Sequence, residues 1–153
     1  GPTMEQPQYN MFERDKLECE FLQIFKTVGL GTTIWSPLLA GVLTGKYNKG
    51  IPKNSRMAIQ GLEWLRDKSV TQTRIDKVKQ LTTIAEKIGI TTTQMALAWC
   101  LKNENVSTVI LGATKLQQLK ENLTCMDALP LLNAEVMQQI EKVLDNKPVQ
   151  PAF

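Results

Sequence analysis

Lys46 and Arg56 lie ten residues apart in a stretch rich in glycine, proline, lysine and asparagine. Two cations so placed can grip a pyrophosphate or a 2′-phosphate. Upstream, Trp35 offers a flat indole on which a planar ring can stack. Gly112-Ala113-Thr114 leads into a segment of helical character. Glycine there lets a ligand come close to the backbone, and the free N–H groups of a helix start suit an anion. Gln118, Glu121 and Asn122 follow on the same helix, and Gln6 closes a short extended segment. Each residue also has a plainer use. An indole is commonly core, loop cations are commonly just solvated, and polar helix residues commonly form a wet face. Their placement after three successive strands favours a phosphorylated ligand, because ligands of parallel α/β proteins sit beyond the carboxyl ends of the strands. In a barrel, phosphate is often held by the loops after the last strands and a helix N-terminus.

Other chemistries are set aside by composition. No histidine occurs, which removes Ser/His and Cys/His pairs and nearly all zinc sites. Gly29-Leu30-Gly31 precedes a strand and lacks the third glycine of a dinucleotide fingerprint. Gly41 to Lys46 is one residue short of a phosphate loop, and Tyr47 stands where a magnesium-binding hydroxyl belongs. Asn122-Leu-Thr124 has the form of a glycosylation acceptor, but GPTMEQPQYN has neither the basic nor the apolar region of a secretory signal. The net charge of +3, evenly spread, does not suggest nucleic acid, and no apolar run approaches the ~20 residues of a membrane helix. Cys19, Cys100 and Cys125 form no CxxC pair and read as reduced thiols of a cytoplasmic protein.

These residues must be held by a regular framework. Residues 2–7 read as a short extended segment. From Arg14, Leu17, Phe21, Leu22, Ile24 and Phe25 fall at helical spacing, stopped by Gly29. Thr32 to Trp35 reads as a strand, and Pro37 to about Val70 as a long functional loop with short helices inside it. Ile75, Val78, Leu81, Ile84, Ala85 and Ile88 predict an amphipathic helix. A capping box at Thr91 to Gln94 opens another helix, and Val106 to Leu111 reads as a buried parallel strand. A second capping box, at Thr114 to Gln117, opens a helix with Leu116, Leu119 and Leu123, and Asn133 caps the last helix. Strands alternating with helices predict an α/β fold with a parallel sheet. No repeat, low-complexity tract or linker appears, so residues 1–153 read as one domain.

The segments EQPQYNMFERDK, WSPLLAGVLTGKYNKGIPKNSR, MALAWCLKNENVSTVILGA and TKLQQLKEN resemble the aldo-keto reductases. Within that superfamily they are most similar to the beta subunits of voltage-gated potassium channels and their plant and protist relatives. The resemblance covers essentially the whole chain, to the closing DNKP. It implies the C-terminal portion of a (β/α)8 TIM barrel, its last three strand–helix units, incomplete as given, and so a partial aldo-keto reductase domain. It further implies an NADPH-dependent oxidoreductase of aldehydes and ketones, NADPH/NADP+ as cofactor and a cytoplasmic, possible homotetrameric protein. A channel alpha subunit is a possible partner, in ion transport, and the alternatives are a regulatory, redox-sensing subunit of a voltage-gated potassium channel with little turnover or an inactive fragment. Neither nucleic acid nor membrane insertion is expected.

Position by position, Gln6 resembles the glutamine that holds the nicotinamide carboxamide, and Trp35 the aromatic stacked on the nicotinamide. Ser36, Pro37, Leu38, Leu39 and Ala40 resemble the loop over the pyrophosphate and ribose, and Lys46 and Arg56 the swinging cofactor clasp. Gly112, Thr114 and Gln118 resemble the 2′-phosphate and adenosine-ribose site. Glu121 and Asn122 resemble the pair that grips adenine. Two departures from the family pattern, Leu39-Ala40 after the WSPL motif and Asn54 two residues before the clasp arginine, could loosen the cofactor. The family's acid, a tyrosine assisted by lysine, aspartate and commonly histidine or asparagine, has no matching motif here, so no catalytic residue is assigned. Three strands cannot close a barrel. At ~25 cal/mol per Å² the unburied apolar surface is large against a net stability of ~5–15 kcal/mol, so this piece alone is expected to be marginally folded, oligomeric or aggregated.

Overall fold

A computed structural model describes residues 1–150. Three strands, β1 (Met4–Glu5), β2 (Gly31–Ile34) and β3 (Thr108–Val109), form one parallel sheet in the order β1-β2-β3. Met4 pairs with Gly31 and Glu5 with Thr32, while Thr33 pairs with Thr108 and Ile34 with Val109. Helices connect the strands, as parallel pairing requires. A π-helical turn (Lys16–Glu20) and α1 (Leu22–Val28) lead from β1 to β2. The expected single helix from Arg14 is therefore two pieces that meet at Phe21, and Gly29 ends the second with φ 68°.

The long stretch after β2 carries two 3-10 turns (Leu39–Thr44 and Arg56–Ala58) and then α2 (Glu63–Ser69). α3 (Gln72–Lys87) buries Ile75, Val78, Leu81, Ile84 and Ala85, the positions its spacing predicts. α4 (Thr92–Leu101) is the central helix. The expected capping box starts it: Thr91 Oγ1 accepts from the Gln94 N–H at 3.1 Å, and Gln94 Oε1 accepts from the Thr91 N–H at 2.8 Å. Met95 through Cys100 are all buried, so α4 has no solvent face along that run. It packs against α3, the 3-10 turn after β2, β3, α5 (Leu116–Leu123) and α6 (Cys125–Ala128). After a 3-10 turn at Leu129–Leu131, α7 (Ala134–Leu144) is capped by Asn133, whose Oδ1 accepts from the Val136 N–H at 3.0 Å.

Two expectations need correction. Val106–Leu111 is not a buried six-residue strand: only Thr108–Val109 pair in regular register, Thr108 and Ile110 are exposed, and none of the six is fully buried. The physical reason is the sheet edge, because β3 pairs on one side alone among the described residues. The second capping box forms one residue late. Gln118, not Gln117, reaches back to the start of α5.

Candidate nucleotide site at the strand ends

Because the strands are parallel, Gln6 after β1, Trp35 after β2 and Gly112 after β3 lie at the same end of the sheet. Pairing of β1 with β2 continues past the strands. Trp35 N–H donates to the Pro7 carbonyl at 3.0 Å, and the Tyr9 N–H donates to the Trp35 carbonyl at 3.3 Å. Alternation buries Thr32 and Ile34 and turns Thr33 and Trp35 to the other face. Trp35 is thus 44% exposed, an indole held by strand hydrogen bonds and open to a ligand. Gln6 is exposed as well, two residues before Gln8, which stands in register with Trp35.

The chain then enters strained backbone. Four non-glycine residues of the described chain have positive φ, and three of them are Ser36 (57°), Leu39 (45°) and Ala40 (50°). Each such residue costs on the order of 1–3 kcal/mol, and such residues cluster where a ligand is gripped. Ser36 also precedes Pro37, which pushes the residue before it toward extended backbone. The turn persists because its surroundings over-determine it. Leu39, Val42 and Leu43 are buried anchors. The Leu39 N–H donates to Ser36 O at 3.0 Å, and the Gly41 N–H to Leu38 O at 2.9 Å. The fully buried Asn10 donates from Nδ2 to Ser36 O at 2.9 Å. Pro37 is buried, and Leu38 and Ala40 are half-buried.

Lys46 and Arg56 are both exposed, and neither forms an ion pair among the described residues. The Lys46 ammonium lies 5.0 Å from the Tyr47 ring centre and folds over Gly41, where an added Cβ would come within 2.5 Å of Nζ. Gly41 is favoured by its φ of 94°, and a side chain there would also push aside the flexible end of Lys46. Arg56 opens a 3-10 turn pinned by the buried Met57. In the sequence between the two cations, Ser55 Oγ and Asn48 Oδ1 are buried without a hydrogen-bond partner, and the Asn48 amide donates to Thr82 Oγ1 on α3 at 3.4 Å. Exposed cations and an open indole suit a ligand that is part aromatic and part phosphate.

The third loop is arranged differently from the sequence expectation. Gln118 Oε1 accepts from the Thr114 N–H (2.9 Å), Thr114 Oγ1 (3.1 Å) and the Lys115 N–H (3.2 Å). The N–H groups offered to an anion are thus held by Gln118, and a phosphate would exchange with that carboxamide. Space beside the exposed Gly112 is open. Glu121 is half-buried, and Asn122 is the one buried residue of α5. The structure thus brings Gln6, Trp35 and the 36–40 loop together through strand pairing. It joins Thr114 to Gln118, and it sets Lys46 over its own loop.

None of these residues is a proton donor suited to carbonyl chemistry. Tyr9 and Tyr47 are both buried. Tyr9 donates to Glu18 Oε1 at 2.7 Å, and burial first, then the Glu18 charge, pushes its hydroxyl far above the ordinary phenol range. Tyr47 Oη lies 3.4 Å from the Ala40 carbonyl and steadies the turn. Burial likewise pushes up the thiols of Cys100 and Cys125. No cluster of three metal-ligating side chains occurs among the described residues, and no helix there is long and apolar enough to cross a membrane.

Sequence reading missed Asn10 and Arg14. Asn10 has a local signal, an asparagine whose Oδ1 can cap the N–H groups two and three residues on. Its partner at Ser36 is 26 residues away and left no signal. Arg14, 4% exposed, pairs with Glu18 at 2.7 Å and Glu141 at 2.8 Å and lies over the Trp99 ring at 5.1 Å.

Comparison with known proteins bears out the resemblance. A probable voltage-gated potassium channel subunit beta of Arabidopsis thaliana is 49% identical over 152 residues, covering 99% of this chain and 46% of that protein. A protein of the same description from Oryza sativa subsp. japonica is 50% identical over 149 residues, covering 97% of this chain and 45% of its own length. The chain therefore spans about half the length of these curated relatives. The profile of the aldo/keto reductase family matches residues 1–145, and the chain belongs to that family.

Proposed function

We propose that this chain is the NADPH-binding part of an aldo-keto reductase that reduces aldehydes and ketones, its three strand–helix units being the last three of a (β/α)8 barrel. One observation carries the reading: an exposed indole at the carboxyl end of β2 followed at once by a strained, over-determined turn, Ser36 to Gly41. Gln6 and Trp35 would take the nicotinamide end. The 36–40 loop would lie along the pyrophosphate, with Lys46 and Arg56 closing on the phosphates. Gly112, Thr114 and Gln118 would face the 2′-phosphate and its ribose, and Glu121 with Asn122 the adenine.

The nicotinamide, when bound, supplies the hydride. The residues here would bind, orient and shield that ring, and no residue of this chain is assigned as proton donor, because the family's acid motif has no match in it.

Replacing Lys46 and Arg56 together by alanine tests the assignment in the complete protein. The expected outcome is NADPH binding weaker by roughly tenfold or more, about 1.4 kcal/mol, with reduced preference over NADH. Unchanged affinity for both nucleotides would remove the clasp.

The names of the relatives favour a second reading, in which the protein is chiefly a subunit of a voltage-gated potassium channel. Aldehyde turnover by the complete protein favours the enzyme. Co-purification with a channel and negligible turnover favours the subunit.

A further inference from the structure

Asn10 is fully buried and uses both ends of its carboxamide. Oδ1 accepts from the Phe12 N–H at 2.9 Å and the Glu13 N–H at 3.1 Å, while Nδ2 donates to Ser36 O at 2.9 Å. The orientation of the amide follows from its partners, since two N–H groups need the oxygen and a carbonyl needs the nitrogen. Ser36 O is then held from two sides, by Asn10 and by the Leu39 N–H. Without the Asn10 bond, a serine with φ 57° before a proline would have little to oppose its relaxation toward extended backbone. Such relaxation would move the residue next to Trp35 and the entry to the 38–41 turn.

We propose that Asn10 is a positioning residue for nucleotide binding, its carboxamide clamping the Ser36 carbonyl so that Trp35 and the strained turn are already placed before the ligand arrives. The inference rests on the cofactor reading above and adds to it a residue that does not touch the ligand. Preorganisation of this kind acts on affinity, because a loop that need not be ordered on binding costs less.

Aspartate at this position separates the clamp from the turn. Asn10→Asp keeps the oxygen that accepts from Phe12 and Glu13 but sets a second oxygen against the Ser36 carbonyl. Protonating that carboxyl at lower pH restores an O–H donor at the same place. Asn10→Ser keeps the turn through its hydroxyl and is one atom too short to clamp Ser36. The flanking titratable groups are Tyr9, Glu13 and Arg14 on the same segment and Cys100 of α4, which lies 4.0 Å from the Tyr9 carbonyl. Burial raises Tyr9 and Cys100, Arg14 stays charged between its carboxylates, and Glu13 is paired with Arg74 at 2.8 Å.

The experiment measures the Kd of acid-stable NADP+ for the complete protein and both variants at about pH 8 and about pH 5.5. Each is compared with wild type at the same pH, which cancels titration of the nucleotide's own phosphate. The expected result at pH 8 is about tenfold weaker binding for either variant, the worth of one lost hydrogen bond. At the lower pH the Asn10→Asp deficit shrinks severalfold while the Asn10→Ser deficit persists. Wild-type affinity in both variants at pH 8 would overturn the clamp and leave the cofactor reading intact. An Asn10→Asp deficit independent of pH would also overturn it. Failure of the wild-type protein to bind NADP+ would overturn the cofactor reading, and this inference with it. Should Asn10→Asp not fold, the Asn10→Ser affinity alone decides.

Discussion

Gly41 shows how a single atom is constrained at this site. Its φ of 94° is a region that side chains rarely enter, and the Lys46 ammonium occupies the space where a Cβ would stand. Gly41→Ala is expected to cost about 1–3 kcal/mol, read from a urea unfolding midpoint, and to displace Lys46, weakening NADPH in parallel. A variant as stable and as tightly binding as wild type would show that the lysine and the turn are independent. At this scale the sequence was legible where type and position coincide. Trp35, Lys46 and Arg56 suggest an aromatic, phosphate-bearing ligand by their chemistry, but each has a plainer use, and it is the family resemblance that assigns them to one. Asn10 does not, because its partner is set by strand pairing between β1 and β2, and long-range hydrogen bonds leave no local pattern. Gln118 was assigned to the ligand, and its hold on Thr114 and Lys115 became visible only once the cap formed one residue later than the spacing suggested.

The segment between β1 and the π-helical turn is secured by a polar cluster set on α4. Tyr9 stacks on Trp99 with ring centres 5.3 Å apart, and its hydroxyl links Glu18 to Asn103. Arg14 joins the same Glu18 to Glu141 near the end of α7. Asn146 closes the cluster, accepting from Arg14 at 3.1 Å and donating to the Met11 carbonyl at 2.9 Å. Tyr9 and Cys100 stay protonated in the fold because burial raises both. Below their ordinary values of 10.0 and 9.0, folded and unfolded chains alike keep these protons and the two groups cost nothing. Above them the unfolded chain ionises first, so stability falls as pH rises through that window. The thermal midpoint is expected to drop between about pH 9 and 11, and Tyr9→Phe to flatten the upper part of the drop. An unaltered slope in that variant would place the alkaline sensitivity elsewhere. α3, α4 and α7 followed directly from helical spacing and caps. The helix after β1 was mistaken for one piece because apolar periodicity does not register a π-turn.

Across the whole molecule, three parallel strands carry helices between them and leave apolar surface on both flanks. Beside β1, a groove of about 470 Å³ runs between Pro2, Glu5, Phe21, Ile24 and Val28, and Val28 is 71% exposed. After β3, Ile110 and, on α5, Leu116, Leu119 and Leu123 are exposed, Leu116 at 68%. None of the groove residues belongs to the candidate site. The sequence foretold raw edges, since three strands cannot close a barrel. It misjudged Val106–Leu111, because an apolar run records what a strand could bury and not whether a partner covers it. At this scale the account depends on three loops meeting around one nucleotide. The most direct test is a crystal structure of the complete protein grown with NADP+. The expected result places the nicotinamide against Trp35 with its carboxamide on Gln6, and the 2′-phosphate among Lys46, Arg56 and Thr114. Nucleotide bound elsewhere, with Trp35 and the Ser36–Gly41 turn left bare, would contradict it.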